Sequence, residues 1–256
     1  TVIISAVAEV SDIRKTVSPA LIADTDTALI HIDFSKDAKK LGGSSFAQIV
    51  NALGKEAPSV TDANYFKACF AAMQELINHN LVLAGHDISA GGLITTLLEM
   101  CFPTPQVGMK ITLKDTSDLI KTLVSENPGV VIQVKDLNTV KTILSKHGLA
   151  SEEIGQITTE RTLSILNHQF SIDSLREKWF HTSYLLDTIQ RPKGHAAKRR
   201  DNFSKQPLDY KFQTRFDGKF STYGIDPKRR TSSGLKAAII REKGVNGDRE
   251  MAYSLY

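Results

Sequence analysis

The sequence predicts an α/β (α+β) fold, a mixed sheet flanked by helices. Three observations carry that expectation. Along residues 1–173, short apolar or alternating runs exchange with segments whose apolar residues recur at i, i+3 and i+4. The 256 residues are 41% hydrophobic, enough for a real core, yet no apolar run reaches the roughly 18 residues needed to span a bilayer. A further strand–turn–helix pattern over 233–256 reads as the opening of a second α/β unit.

The elements follow in order. Residues 2–10 read as a strand with no basic start of a signal peptide, and Thr1 in place of a starting Met points to a fragment. TALIHIDF (27–34) alternates as a strand does. LGGSSFAQIVNALG (41–54) predicts a helix that begins after a Gly pair and stops at Gly54. Asp62 is placed to cap the next helix, whose Phe66, Cys69, Phe70, Met73, Leu76 and Ile77 share one face. LVLAG (81–85) is a short buried strand, and GGLITTLLEMCF (91–102) a helix stopped by Pro103 and Pro105. A strand near 107–113, a helix near 116–126, the strand GVVIQV (129–134), the helix 137–148 and two strands near 152–167 complete a domain ending at Asp173.

Beyond it, 174–191 predicts a helix with Leu175, Trp179, Tyr184, Leu185 and Ile189 on its apolar face. Residues 192–232 read as a linker with some local order. LKAAIIR (235–241) reads as a buried strand leading through a turn into REMAYSLY. The expected division is therefore 1–173, a closing helix and linker over 174–232, and 233–256.

Charge is uneven. Residues 1–173 carry 14 Lys+Arg against 19 Asp+Glu, and the remaining 83 carry 18 against 9. The KRR clusters at 198–200 and 228–230, with Phe203, Tyr210, Phe212, Phe216, Phe220 and Tyr223 between them, raise a nucleic-acid- or partner-binding reading; a charged linker lying on acidic faces of its own protein is the favoured one. Cys69 and Cys101 sit in apolar helical patterns, which predicts buried reduced thiols in a cytoplasmic protein.

The stretch LAGHDISAGGL (83–93) concentrates the chemistry. Asp87 is a hard oxygen ligand of the kind Mg²⁺ shares with nucleotide phosphates. Ser89 offers a hydroxyl to a phosphate oxygen, or to the helix as a cap. The helix N-terminus and the paired glycines, Gly91 and Gly92, allow close approach of an anion. The same residues also make an ordinary cap and turn, and one carboxylate does not hold Mg²⁺ alone. His86 is expected to be a packed or hydrogen-bonded residue.

GHDISAGGLITTLLEMCF resembles a signature of the AIR synthase-like C-terminal domains. Its best likeness is to the second such domain of the large single-chain phosphoribosylformylglycinamidine synthases. VIISAVAEVSDIRKTVSPAL, KLGGSSFAQI, SENPGVVIQV, the Trp helix LREKWFHTSYLLDTIQ and the glutamine-amidotransferase-like LKAAIIREKGVNGDREMAYSLY agree in order. The resemblance implies an ATP- and glutamine-dependent ligase of purine biosynthesis, with Mg²⁺ and ATP or ADP as cofactors. It implies that Asp87 ligates the metal and Ser89 contacts the nucleotide at an auxiliary site, completed by other domains of the same polypeptide. An acidic residue is usual where this chain has Ala90. Neither cysteine matches the amidotransferase nucleophile, so no catalytic residue is expected here, and the chain alone should hydrolyse no glutamine. Selenophosphate synthetase, thiamine-monophosphate kinase and a hydrogenase maturation factor share the architecture; they lack the C-terminal extension. Neither nucleic acid nor membrane is an expected partner.

Overall fold

A computed structural model describes residues 12–203 without a break. Of the rest it describes 5, 7–8, 217, 219–224, 226, 228–229, 231, 234, 236–244 and 246–255. The strand expected over 2–10 falls largely outside the described residues. The chain forms two compact units, Thr1–Gln206 and Pro207–Tyr256, so the expected segment 174–232 divides between them.

The first unit is built on one seven-stranded mixed sheet. Its strands are β1 (Ala28–Asp33), β2 (Ala84–Asp87), β3 (Gly108–Ile111), β4 (Gly129–Val134), β5 (Glu152–Thr158), β6 (Thr162–Ile165) and β7 (His168–Ser171), in the order β2-β4-β1-β5-β3-β6-β7. Neighbours pair antiparallel except β3 with β6, which run parallel. The inner strand β1 explains the pattern. Alternate residues of β1 face opposite ways, so Leu29 joins one core and Ile30 and Ile32 the other.

Helices cover both faces. The core around Leu29 and Val131 is closed by α3 (Gly92–Cys101), which supplies Leu93, Leu97 and Met100, with Leu119 and Leu123 of α4 (Leu119–Val124) packed against it. The core around Ile30 and Ile132 is closed by α2 (Ala63–Asn78) and α5 (Leu137–Lys146) through Cys69, Leu76, Val140 and Leu144. Asp62 caps α2 as expected, accepting from the Asn64 and Tyr65 N–H groups. Asp118 and Asp136 cap α4 and α5 in the same way.

Several elements depart from the sequence reading. The helix expected over 41–54 is only α1 (Ser45–Ile49), because Asn51 and Gly54 take left-handed backbone angles that end it. β2 begins at Ala84 and runs to Asp87, so the carboxylate closes a strand instead of sitting in the turn. Phe66 and Phe70 of α2 are exposed, while Ala72 is buried in their stead. A further strand, β7, pairs with β6.

The largest departure is α6 (Ile172–Gln190). Trp179, Leu185 and Ile189 are exposed, whereas Arg176 and Asp187 are buried. The reason is α7 (His195–Asp201), a helix inside the stretch read as linker. The Arg176 guanidinium lies 3.2 Å from the Phe203 ring centre, and Asp187 accepts from both Arg191 and Arg199. Charged residues thus pack this helix pair. In the second unit, 236–241 forms no strand and Ile240 is 92% exposed, against the buried strand expected there. A strand needs a sheet to pair with, and the described residues of this unit contain none. The helix that follows, α8 (Asp248–Leu255), buries none of its residues.

Candidate functional site

Asp87 is held by its backbone. β2 pairs with β4, setting Asp87 opposite Val130, and the Asp87 carbonyl accepts from Thr96 Oγ1 of α3 at 3.0 Å. Its side chain is free of that duty and 71% exposed. The carboxylate's near neighbour is His86 Nδ1, at 3.2 Å; among the described residues no Lys or Arg pairs with it. The other ring nitrogen, Nε2, lies 3.3 Å from Glu99 Oε2, and Glu99 Oε1 accepts from Trp179 Nε1 at 3.0 Å. A line of polar contacts therefore runs from the Trp helix to Asp87. His86 takes the hydrogen-bonded role expected of it.

Ser89 and Ala90 are exposed in the turn that follows. The turn closes through its backbone, with Gly92 N–H donating to the Ser89 carbonyl at 3.0 Å. The N-cap of α3 is Gly91, and no side chain caps this helix. The Ser89 hydroxyl makes no hydrogen bond among the described residues. Asp87 and Ser89 are thus two exposed oxygen-bearing side chains, the first touched only by His86 and the second without a hydrogen bond among the described residues.

The glycines turn out to serve the chain's own packing. Gly91 and Gly92 take φ of 87° and 72°. A Cβ on Gly92 would lie 2.6 Å from the Val124 carbonyl carbon and 2.7 Å from Ser125 O. What approaches closely is the end of α4. The phosphate-cradle idea is corrected on the same ground, because Gly91 N–H donates to Glu126 Oε1 and Gly92 N–H to Ser89, so neither amide is open to an anion.

Glu126 is the residue that sequence reasoning missed. The same Oε1 atom accepts from Ser45 N–H at 2.8 Å, joining the turn before α1 to the turn before α3. Its sequence setting gives no sign of this: it is a lone carboxylate between the α4 stop and Pro128-Gly129, where an acidic loop residue is unremarkable. Beside it, Asn127 donates to Ser35 Oγ and to the Ala38 carbonyl, fixing the loop after β1.

A cavity of about 340 Å³ opens on the α3 face of the sheet, lined among others by His31, Asp33, Lys39, Leu93, Asn127 and Glu152. Burial pushes the His31 imidazole below its ordinary pKa, against the opposing pull of Asp33 and Glu152. Asn127 Oδ1 is buried there without a partner among the described residues. Asp87 and Ser89 do not line this cavity. The donor set at Asp87 fits Mg²⁺ as one hard oxygen of a shared site; no group of three metal-ligating side chains occurs among the described residues.

The two arginines of the first KRR cluster are engaged internally: Arg199 pairs with Asp187, and Arg200 pairs with Asp201 and lies over the Tyr184 ring. Among the described residues, no helix is long and apolar enough to cross a membrane.

Comparison with known proteins agrees with this fold. Residues 28–166 match the family described as AIR synthase related protein, C-terminal domain. A probable phosphoribosylformylglycinamidine synthase, chloroplastic/mitochondrial, of Arabidopsis thaliana is 34% identical over 99% of this chain and 18% of its own length. A probable phosphoribosylformylglycinamidine synthase of Caenorhabditis elegans is 32% identical over 98% of this chain and 21% of its own. The chain therefore spans about a fifth of these relatives. Among solved structures, T. maritima PurL complexed with FGAR superposes with a TM-score of 0.50 at 16% identity, over 64% of this chain and 30% of that one, a likeness of fold. With a sheet of this order, these glycine turns and a family match over its central residues, the chain belongs to the AIR synthase related protein, C-terminal domain, family.

Proposed function

We propose that this chain works as the second AIR synthase-like C-terminal domain of a phosphoribosylformylglycinamidine synthase. Such an enzyme is an ATP-dependent ligase that uses glutamine to convert formylglycinamide ribonucleotide to formylglycinamidine ribonucleotide in purine biosynthesis. In this reading Asp87 supplies one oxygen to Mg²⁺ and Ser89 contacts the phosphates of ATP or ADP. Other domains of the same polypeptide complete the auxiliary site, and residues 233–256 open the glutaminase domain. The metal supplies charge neutralisation for the phosphates; the chain's part is to hold one carboxylate and one hydroxyl at the end of β2.

The observation that carries the reading is the state of those two side chains. Both are exposed and stand two residues apart, neither caps α3, and Asp87 has no Lys or Arg partner among the described residues. A cytoplasmic setting fits two free, buried cysteines, although the plant relative's name places that protein in organelles. Nucleic-acid binding is the weaker alternative, since Arg199 and Arg200 are engaged within α6 and α7.

The test is Mg-ADP binding to the whole enzyme that contains this chain. Asp87→Asn should weaken it about tenfold or more, as loss of a charged ligand does. Wild-type affinity in both Asp87→Asn and Ser89→Ala would overturn the assignment. The chain by itself should release no ammonia from glutamine and bind Mg-ADP weakly; tight one-to-one binding by calorimetry would count against a shared site.

A further inference from the structure

Glu126 stands where three segments meet. Its Oε1 atom accepts the Gly91 and Ser45 N–H groups, each at 2.8 Å. These are charge-assisted bonds to backbone, roughly twice as strong as neutral ones. Directly beneath, Gly92 packs against Val124 and Ser125 with no room for a Cβ. The turn carrying Ser89 is therefore fastened to residues 124–126 from two sides, and through Glu126 to the turn that starts α1.

Asp87 is secured differently. Its place is set by β-pairing with Val130 and by the Thr96 hydroxyl on its carbonyl. Ser89 lies beyond the strand, and its carbonyl closes the turn onto Gly92. The strand holds the carboxylate; the glycine turn holds the hydroxyl. We infer that Glu126 is a positioning residue for the nucleotide contact: by fastening the glycine turn it sets the Ser89 hydroxyl relative to the Asp87 carboxylate, and it touches neither metal nor nucleotide itself. The inference rests on the reading of Asp87 and Ser89 given above.

Two measurements test it. In this chain without nucleotide, Glu126→Ala should raise amide exchange at both Ser45 and Gly91 by about tenfold, the loss expected for hydrogen bonds to a charged acceptor. Glu126→Gln, which keeps an acceptor of the same reach but loses the charge, should raise exchange at both by clearly less than Glu126→Ala. In the whole enzyme, Glu126→Ala should weaken Mg-ADP about tenfold, Glu126→Gln should stay within about twofold of wild type, and Glu126→Ala should add nothing in a Ser89→Ala background. Wild-type affinity in Glu126→Ala, or losses that multiply with those of Ser89→Ala, would overturn the proposal. So would a rise in exchange at only one amide. The failure of the underlying reading looks different: Asp87→Asn and Ser89→Ala would then both bind like wild type, while the exchange data would still report whether Glu126 joins the turns. A purely architectural Glu126 would lower the melting temperature without the nonadditivity with Ser89.

Discussion

The two glycine-pair turns make an instructive contrast. Each precedes a helix, and each gives one backbone N–H to Glu126. Before α1, Ser44 is fully engaged: its hydroxyl accepts from Ala47 N–H and donates to the Leu41 carbonyl. Before α3, Ser89 is exposed and caps nothing. One serine completes a helix end; the other is left over by the fold. The jammed glycine also differs. In the first turn it is Gly42, whose Cβ would lie 2.3 Å from Glu56 O, while Gly43 has open space around it. In the second it is Gly92, against Val124 and Ser125. Similar sequences thus conceal one turn closed on itself and one that presents polar side chains outward.

The strongest effect expected from this contrast is at Gly92. Gly92→Ala adds a methyl inside 2.7 Å of backbone at a φ of 72°. Overpacking and left-handed strain together should cost about 3 kcal/mol or more. Gly43→Ala meets strain alone, at a φ of 73° with nothing within 4 Å, and should cost about 1 kcal/mol. Denaturant unfolding of both variants gives the comparison; equal losses would mean that α4 does not clamp the second turn.

The serines come next. Ser44→Ala should lose about 1 kcal/mol, the usual cost of a lost cap. Ser89→Ala should stay within about 0.5 kcal/mol of wild type, as for a surface change away from any such feature. A matching loss at Ser89 would make it a structural residue and remove the basis for its role at a nucleotide.

Much of this architecture was legible in the sequence. Period and punctuation located the strands β1 and β4 and the helices α2, α3 and α5, whose apolar spacing is regular, and Asp62 was legible as the cap of α2. Asp87 and Ser89 were also legible, as residue types suited to a metal and a phosphate. What escaped was long-range. Nothing near Glu126 in sequence says that its partners lie 35 and 81 residues away. Nor does local spacing say that α7 folds back on α6, burying Arg176 and Asp187 between them. The strand expected at 235–241 failed for a related reason: its sequence is strand-like, but the pairing partner is not among the described residues of its unit.

A smaller effect concerns pH. His31 lies on β1, in the cavity with Asp33, Glu152 and Lys39, and burial lowers its pKa. The unfolded chain takes up the proton near the ordinary pKa of about 6.5, and the folded chain only at lower pH. Between those values the unfolded state binds more protons, so stability falls as pH drops below about 6.5 and levels off beneath the folded pKa. His31→Gln should flatten this part of the profile in denaturant midpoints taken from pH 8 to pH 5. An unchanged slope would mean that the ring is protonated as readily in the fold as out of it.

The smallest expected signal is a silence that only a loosened α3 should break. Cys101 ends α3 and Cys69 lies in α2 across the sheet; burial pushes their thiols up to about 12 and about 11. With so little thiolate at pH 8, neither should react with an aromatic disulfide reagent while the protein is folded. Gly92→Ala displaces the start of α3 from α4, and the helix transmits that displacement to its far end. Cys101 should then become reactive while Cys69, packed with Leu76 and Ile132 in the opposite core, stays silent. Equal exposure of both thiols would indicate global unfolding instead, and no reaction at either would show that α3 holds its place without the glycine turn. The selective outcome alone ties the second turn to the helix behind it, and so to the placement of Ser89.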